Sequence, residues 1–398
     1  MATPLPSGLL LLPPPGDRTC ASLRRKVRLL AARDLLAGPR KESRVLEDLL
    51  RQAPGPTLDA IGAPDVLPFL LAQRNGLLDA ETARRRAWPN LLAALHARGV
   101  TPREALLVEA PITALHGLRA GHVAFDEPAR ALLLDAAGLS VELADGSHAD
   151  PAELASPSSH ALPDSHIELC LADSNPLSHL EDHPDKAGNA VDLGGHPLPA
   201  WLSALREALD VVRATLPTWY AELPATLSRL VPVGYEPERH LSASYGDAPG
   251  LAYLTLHPSA LTLAEAIVHE TQHGKLNLLL WLDKVLVNGR TDWAESPVRP
   301  DLRPLMGVLL AVHAFVPVAA LHLALAEQDH PLSRSPEFAR RRAQVLAGNE
   351  GGLQVLRERA DPTASGRRLL ADLEELHAVA HKFAPETPME QAQALPPG

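Results

Sequence analysis

His269 and His273 stand four positions apart with Glu270 between them, in the run His269-Glu270-Thr271-Gln272-His273. Four residues is about one helical turn, so on a helix both imidazoles lie on one face and can converge on a single ion while Glu270 projects beside them. Paired imidazoles next to a carboxylate are the donor set of a His-Glu-x-x-His metal site. The bland alternative is a pair of core histidines satisfied by backbone hydrogen bonds.

A catalytic ion needs a third protein ligand and open positions for water or substrate. His313, Glu295, Asp283 and Asp292 are the candidates. His313 comes first, because it is a polar ring inside an uncharged helical stretch. Glu295 comes second: it lies 22 residues beyond His273, as in zinc peptidases that take a ligand from the next helix, but Asp-Trp-Ala-Glu-Ser-Pro reads as a loop. Nearby, Arg299-Pro-Asp-Leu-Arg303-Pro sets two guanidinium groups on a proline-bounded segment, a fork suited to bidentate capture of a carboxylate. The same segment also reads as a solvated turn with salt bridges to Asp301 and Asp283.

The elements that must hold these groups are legible around them. Residues 250–257 alternate as a strand does, Pro258 and Ser259 break it, and Thr262-x-x-Glu265 before an apolar run predicts a capped helix start. That helix is expected to run to about Val287, where Asn288-Gly289 forms a turn. Ile167 to Leu171 predicts a short strand, and Leu202 to Leu230 carries a helical period. Leu305 to Ala326 is 22 residues without a charge, long enough to span a membrane. Its His313, Pro317 and His322, and the lack of aromatic belts, make it a buried core helix instead.

Upstream, Leu and Ala recur at three- and four-residue spacings among arginines from Ser22 to about Ala124, which predicts a helical N-terminal unit. The polar, proline-rich stretch 143–165 is the expected boundary. The chain of 398 residues then divides into a helical N-terminal domain (1–145), a His-Glu-x-x-His metal domain (165–385) and a proline-rich tail (386–398). The expected fold class is mainly α with a small β element near the metal site, an α+β protein.

A net charge of −11 argues against nucleic acid or an anionic membrane as the main partner. Two cysteines, Cys20 and Cys170, support neither a disulfide scaffold nor a cysteine metal centre. Leu9 to Leu12 is too short for a signal peptide, so a cytoplasmic location is expected.

Val268-His-Glu-Thr-Gln-His-Gly-Lys-Leu276, the later Leu279-Leu280 and Arg299-Pro-Asp-Leu-Arg-Pro-Leu-Met-Gly307 together resemble a bacterial family of HExxH-motif peptide-modification proteins. Asp173-Ser-Asn-Pro176, Leu230-Val-Pro-Val233 and Ser242-Ala-Ser244 extend the resemblance, which covers roughly residues 167–326. It implies a role in the biosynthesis of ribosomally made, post-translationally modified peptides. Some members are iron(II)- and 2-oxoglutarate-dependent hydroxylases acting at side chains, usually at Cβ. On that pattern His269 and His273 would be iron ligands, and Arg299 and Arg303 would bind the 2-oxoglutarate carboxylates. The competing readings are a zinc-dependent hydrolase or peptidase with Glu270 as general base on water, and a peptide-binding scaffold without catalysis.

Overall fold

The computed structural model describes residues 10–180, 188–295 and 301–382. The first layer is helical: α1 (Thr19–Leu36), α2 (Arg40–Gln52), α3 (Pro54–Ile61), α4 (Leu67–Arg74) and α5 (Ala80–Ala97). Proline in the first turn of α3 and α4 fits positions whose N–H groups lack an intrahelical acceptor anyway. An antiparallel meander follows, in the order β1 (Leu106–Leu118), β2 (Gly121–Asp135), β3 (Gly138–Glu142) and β4 (His148–Ala149). The expectation of helix through Ala124 is therefore corrected. Leu106, Val108 and Ile112 point inward and Leu107 and Glu109 outward, the period of two that a strand requires.

Beyond the short α6 (Pro151–Leu154), a second sheet of five strands takes the order β5-β6-β7-β9-β8. Its members are β5 (Ser159–Ala161), β6 (Glu168–Cys170), β7 (Arg229–Tyr235), β8 (Ser242–Ala243) and β9 (Leu251–Leu256). The β6–β7 and β7–β9 pairs are parallel, and β5 and β8 close the edges in antiparallel fashion. The β6–β7 crossover carries α7 (Leu198–Thr215), α8 (Pro217–Tyr220) and α9 (Leu223–Thr226). All six residues of β9 are buried, as befits an inner strand covered on both faces.

From β9 the chain turns into α10 (Ala260–Leu280), which carries the His-Glu-x-x-His run. A small hairpin, β10 (Trp293–Glu295) and β11 (Leu302–Pro304), leads into α11 (Leu305–Glu327), and α12 (Pro336–Arg359) and α13 (Ala364–Lys382) complete the helical layer. α11 is the one helix among the described residues long and apolar enough to cross a membrane, and 83% of its most apolar window is buried by packing within the protein. The class is mixed α+β with helices predominating, as expected.

One continuous buried cluster runs from Leu10 through both sheets to Ala380. Across the expected boundary, Asp65 makes a two-pronged pair with Arg229 on β7 (2.8 and 3.1 Å) and accepts a hydrogen bond from Ser174 Oγ (2.7 Å). Gln272 Nε2 on α10 donates to the carbonyl of Leu10. The proline-rich tail, 386–398, lies outside the described residues.

Candidate metal centre on α10

Ser259 ends the turn after β9, and its Oγ accepts from the Thr262 backbone N–H at 3.3 Å. The cap is therefore Ser259, and Thr262 lies inside the first turn rather than at its head. Glu265 does not serve as a capping carboxylate either. It is buried, and accepts from His322 Nε2 on α11 and Arg341 Nε on α12, each at 2.8 Å. Burial pushes its carboxyl upward, but His322 and Arg341 outweigh it and bring it down to about 2.

Further along α10, Gln272 is fully buried. Its Oε1 accepts from Trp219 Nε1 (2.9 Å), and its Nε2 reaches the carbonyls of Leu10 (3.1 Å) and His313 (3.4 Å). Lys275 Nζ pairs with Glu222 Oε2 at 2.6 Å and stands 5.1 Å from the centre of the Trp219 ring. Buried polar groups that each have fixed partners lock a helix in rotation as well as position. Glu265, Gln272 and Lys275 fix α10 at three points over about three turns and thereby aim its remaining face.

On that face His269 Nε2 and His273 Nε2 are 2.9 Å apart, with rings nearly perpendicular at 88°. Two nitrogens held about 2.1 Å from one ion at roughly a right angle stand about 3 Å apart, so the separation suits a shared ion. It equally suits an N–H···N hydrogen bond between one protonated and one bare nitrogen. Burial pulls the His273 ring below its ordinary pKa, with Glu270 opposing, and the neutral form is the one that binds metals. The Phe315 ring of α11 packs against His269 at 4.5 Å between centres and walls one side.

Glu270 is buried. Its Oε1 accepts from Ser242 Oγ on β8 at 2.6 Å, while its Oε2 is shut off from solvent with no hydrogen-bond partner among the described residues. A buried carboxylate oxygen left alone is costly, so the arrangement suits a ligand, a water or an ion beside it. Paired imidazoles with an adjacent acidic oxygen are borderline-soft and hard donors that fit iron(II) and zinc alike.

The other expected ligands are not brought to this pair. Among the described residues no group of three His, Cys, Asp or Glu side chains able to hold an ion forms. His313 is fully buried with neither ring nitrogen hydrogen-bonded, and burial, then the nearby charges of Lys275 and His273, push it down to about 3. Those neighbours place the His313 ring on the side of α11 that faces α10, and it is Phe315 that packs against the His269 ring. His313 makes no hydrogen bond to the His269–His273 pair, and no third ligand is identified among the described residues.

Glu295 lies on β10, a strand rather than the expected loop, and is exposed. Asp283 Oδ1 accepts from the Val285 N–H (2.7 Å) and Thr363 Oγ1 (2.8 Å), holding Val285 at a φ of 60° where a β-branched residue is strained. Asp292 accepts from Asn288 and Thr291. Both aspartates thus serve the turn after α10, which ends at Leu280 rather than near Val287. Arg299 lies outside the described residues. Arg303, on β11 opposite Ala294, donates from Nε to Asp301 at 3.1 Å, the turn-type pairing weighed for this segment.

Ser242, Phe315, Glu265 and Arg341 belong to the site without having been singled out as site residues by spacing. Ser242 alone had a signal, in the Ser-Ala-Ser segment of the family resemblance. The Asp173-Ser-Asn-Pro segment of that resemblance is structural: Ser174 bonds Asp65, and Asp173 and Asn175 both bond the Tyr253 hydroxyl. The chain matches no protein-family model, and no curated protein matches it.

Proposed function

We propose that the chain is an iron(II)- and 2-oxoglutarate-dependent oxygenase that hydroxylates a side chain, at Cβ, of a ribosomally made precursor peptide in the cytoplasm. The observation that carries the metal part of this reading is the 2.9 Å separation of His269 Nε2 and His273 Nε2 on a helix pinned at three points. The oxygenase part rests on the resemblance described above. Iron, O₂ and 2-oxoglutarate would supply the oxygen atom placed in the C–H bond, with succinate and CO₂ released. The chain's own residues supply orientation. His269 and His273 would hold the ion, Phe315 shields one flank, and Ser242 occupies one Glu270 oxygen while the other has no hydrogen-bond partner among the described residues.

A zinc-dependent hydrolase is the second reading, and the free Oε2 of Glu270 favours it, because a general base on water needs an available acceptor beside the metal. The test is metal content by elemental analysis after anaerobic purification, followed by mass spectrometry of a candidate precursor peptide. A gain of one oxygen atom on an intact peptide, with succinate formed, supports the oxygenase. Zinc in the protein and cleaved peptide, independent of 2-oxoglutarate, overturns it.

A further inference from the structure

β8 is the last strand of its sheet, and among the described residues β9 alone pairs with it. The Thr255 N–H donates to the Leu241 carbonyl at 2.9 Å, Ser242 stands opposite Leu254, and Ala243 opposite Tyr253. In an antiparallel pair the backbone groups of successive residues point alternately toward the partner strand and away from it. Those of Leu241 and Ala243 therefore face β9, and those of Ser242 and Ser244 face the side on which no strand follows.

The side chains alternate as well. Ala243 and Tyr245 pack with Tyr253 on one face of the sheet, whereas on the other Ser242 Oγ donates to Glu270 Oε1 of α10 at 2.6 Å. Ser244 shares that second face, and its Oγ is enclosed without a hydrogen-bond partner among the described residues. The segment then follows α10 toward its C-terminal end, where Trp281 Nε1 donates to the Gly246 carbonyl at 2.8 Å.

Around α10, a rotation of about 100° per residue decides what lies beside what. Glu270 faces Ser242, and Asn277, about 20° from it, faces Gly246. His273 and His269 follow on the same side, at about 60° and 100° from Glu270. Phe315 of α11 packs on His269, while Trp219 and Glu222 hold Gln272 and Lys275 on the far side of the helix. The imidazole pair thus lies between the free edge of β8 and Phe315.

We infer that the free edge of β8 takes an extended peptide as an added strand, its backbone pairing with Ser242 and Ser244 and every second side chain directed toward the face that carries His269 and His273. An added strand lies about 4.8 Å from β8 and is held through its amides rather than through particular side chains, so one edge serves different sequences around the residue acted on. The inference rests on the reading of the site as one that acts on a peptide, and it holds for hydroxylation and cleavage alike.

The probe is a library of acetylated, amidated hexapeptides screened on the full chain. The tightest binder is resynthesised with a single N-methyl group at each amide in turn and titrated calorimetrically. N-methylation of alternate amides should weaken binding by about ten-fold each, and of the amides between them hardly at all. Ser244→Pro, which removes an outward N–H that the pairing with β9 does not use, should weaken binding by a similar factor, and Ser244→Ala, which keeps that N–H, by less. An even response to N-methylation, undiminished binding in Ser244→Pro, a loss in Ser244→Ala as large as in Ser244→Pro, or no hexapeptide bound at all overturns the inference. So does a dimer in sedimentation that Ser244→Pro splits, since a second copy of the chain would then close the edge. Should Ser244→Pro fail to fold, the N-methyl series on the wild type decides alone. The two readings fail separately: zinc in the purified chain with a cleaved precursor removes the oxygenase and leaves an alternating N-methyl pattern standing, whereas a hydroxylated precursor with an even pattern removes the docking edge alone.

Discussion

Lys275 Nζ lies 2.6 Å from Glu222 Oε2, with the lysine side chain wholly closed to solvent and the glutamate nearly so. Two residues past His273, this pair ties α10 to the short α9 turn region and to the Trp219 ring. Cys20 of α1 is adjacent. Burial, moderated by Lys275 and reinforced by Glu222, pushes its thiol up to about 12, so it is present as a neutral packing group.

Removing one member of such a pair leaves the other charged and unpaired in the core. Lys275→Met should therefore destabilise the protein by about 3–5 kcal/mol, and adding Glu222→Leu should restore most of the loss. Denaturant unfolding of the wild type, the single and the double variant measures this. A double variant no more stable than the single one would show that the loss comes from packing of the lysine stem rather than from the stranded carboxylate.

The Asp65–Arg229 pair predicts an acid limb. Burial raises the Asp65 carboxyl, but the guanidinium of Arg229 more than compensates and holds it at about 2, below its ordinary 3.8. A carboxyl whose folded pKa is depressed contributes stability above its unfolded pKa and loses it as pH falls toward the folded value. The contribution is about 2–3 kcal/mol at neutral pH, fading between about pH 4 and pH 2. Asp65→Asn should lower stability at pH 7 and flatten that decline. Parallel melting curves against pH for wild type and variant, separated by a constant offset down to pH 2, would contradict the assignment.

How much of this was readable in the sequence differs from one residue to the next, for reasons of range. The strand, break and helix leading to His269 are local, and their signals lie within twenty residues, so β9, the turn at Ser259 and α10 fall where the pattern puts them. Glu265 looked like a capping residue because its true partners, His322 and Arg341, lie 57 and 76 residues downstream and leave no local mark. The end of α10 moved for the same reason. Trp281 Nε1 donates to Gly246 and Asp283 is engaged by Thr363, tertiary contacts that stop the helix before the leucine pattern does. In β1 and β2 the alternation was present but broken by Pro111 and Pro128 and by irregularities in register, which let the leucine spacing pass for a helical one. For His313 the residue type and context are local, but whether its ring reaches the imidazole pair is set by how α11 packs on α10, and Phe315 is the α11 side chain that packs on His269.

That packing makes His313 a direct test. Both of its ring nitrogens are buried without hydrogen bonds, so His313→Leu, which replaces a polar ring by an apolar side chain, should leave stability unchanged or raise it by about 1–3 kcal/mol. Metal content should also be unchanged. In His269→Ala or His273→Ala, by contrast, nearly all bound metal should be lost, because the chelate is broken. Loss of metal in His313→Leu to the level of those two variants would restore His313 as the third ligand.

Glu270 separates the two chemistries, because they ask different things of its second oxygen. In a hydrolase that oxygen must take a proton from the attacking water, and Glu270→Gln, which keeps the shape and can still accept from Ser242 Oγ, removes the base alone. Activity should then drop by about 100-fold or more, general-base contributions being commonly of that order. In an oxygenase the oxygen atom comes from O₂ and no water needs activating, so the same variant should keep a measurable fraction of its rate, provided the metal is retained. Ser242→Ala supplies the control: it removes the donor to Oε1 and leaves the carboxylate charged, so it should disturb the position of Glu270 without abolishing its basicity. The decisive measurement is product formation by mass spectrometry for wild type, Glu270→Gln and Ser242→Ala at equal metal occupancy. Retained hydroxylation in Glu270→Gln fits the oxygenase, whereas peptide cleavage that survives Ser242→Ala but vanishes in Glu270→Gln would assign the site to hydrolysis.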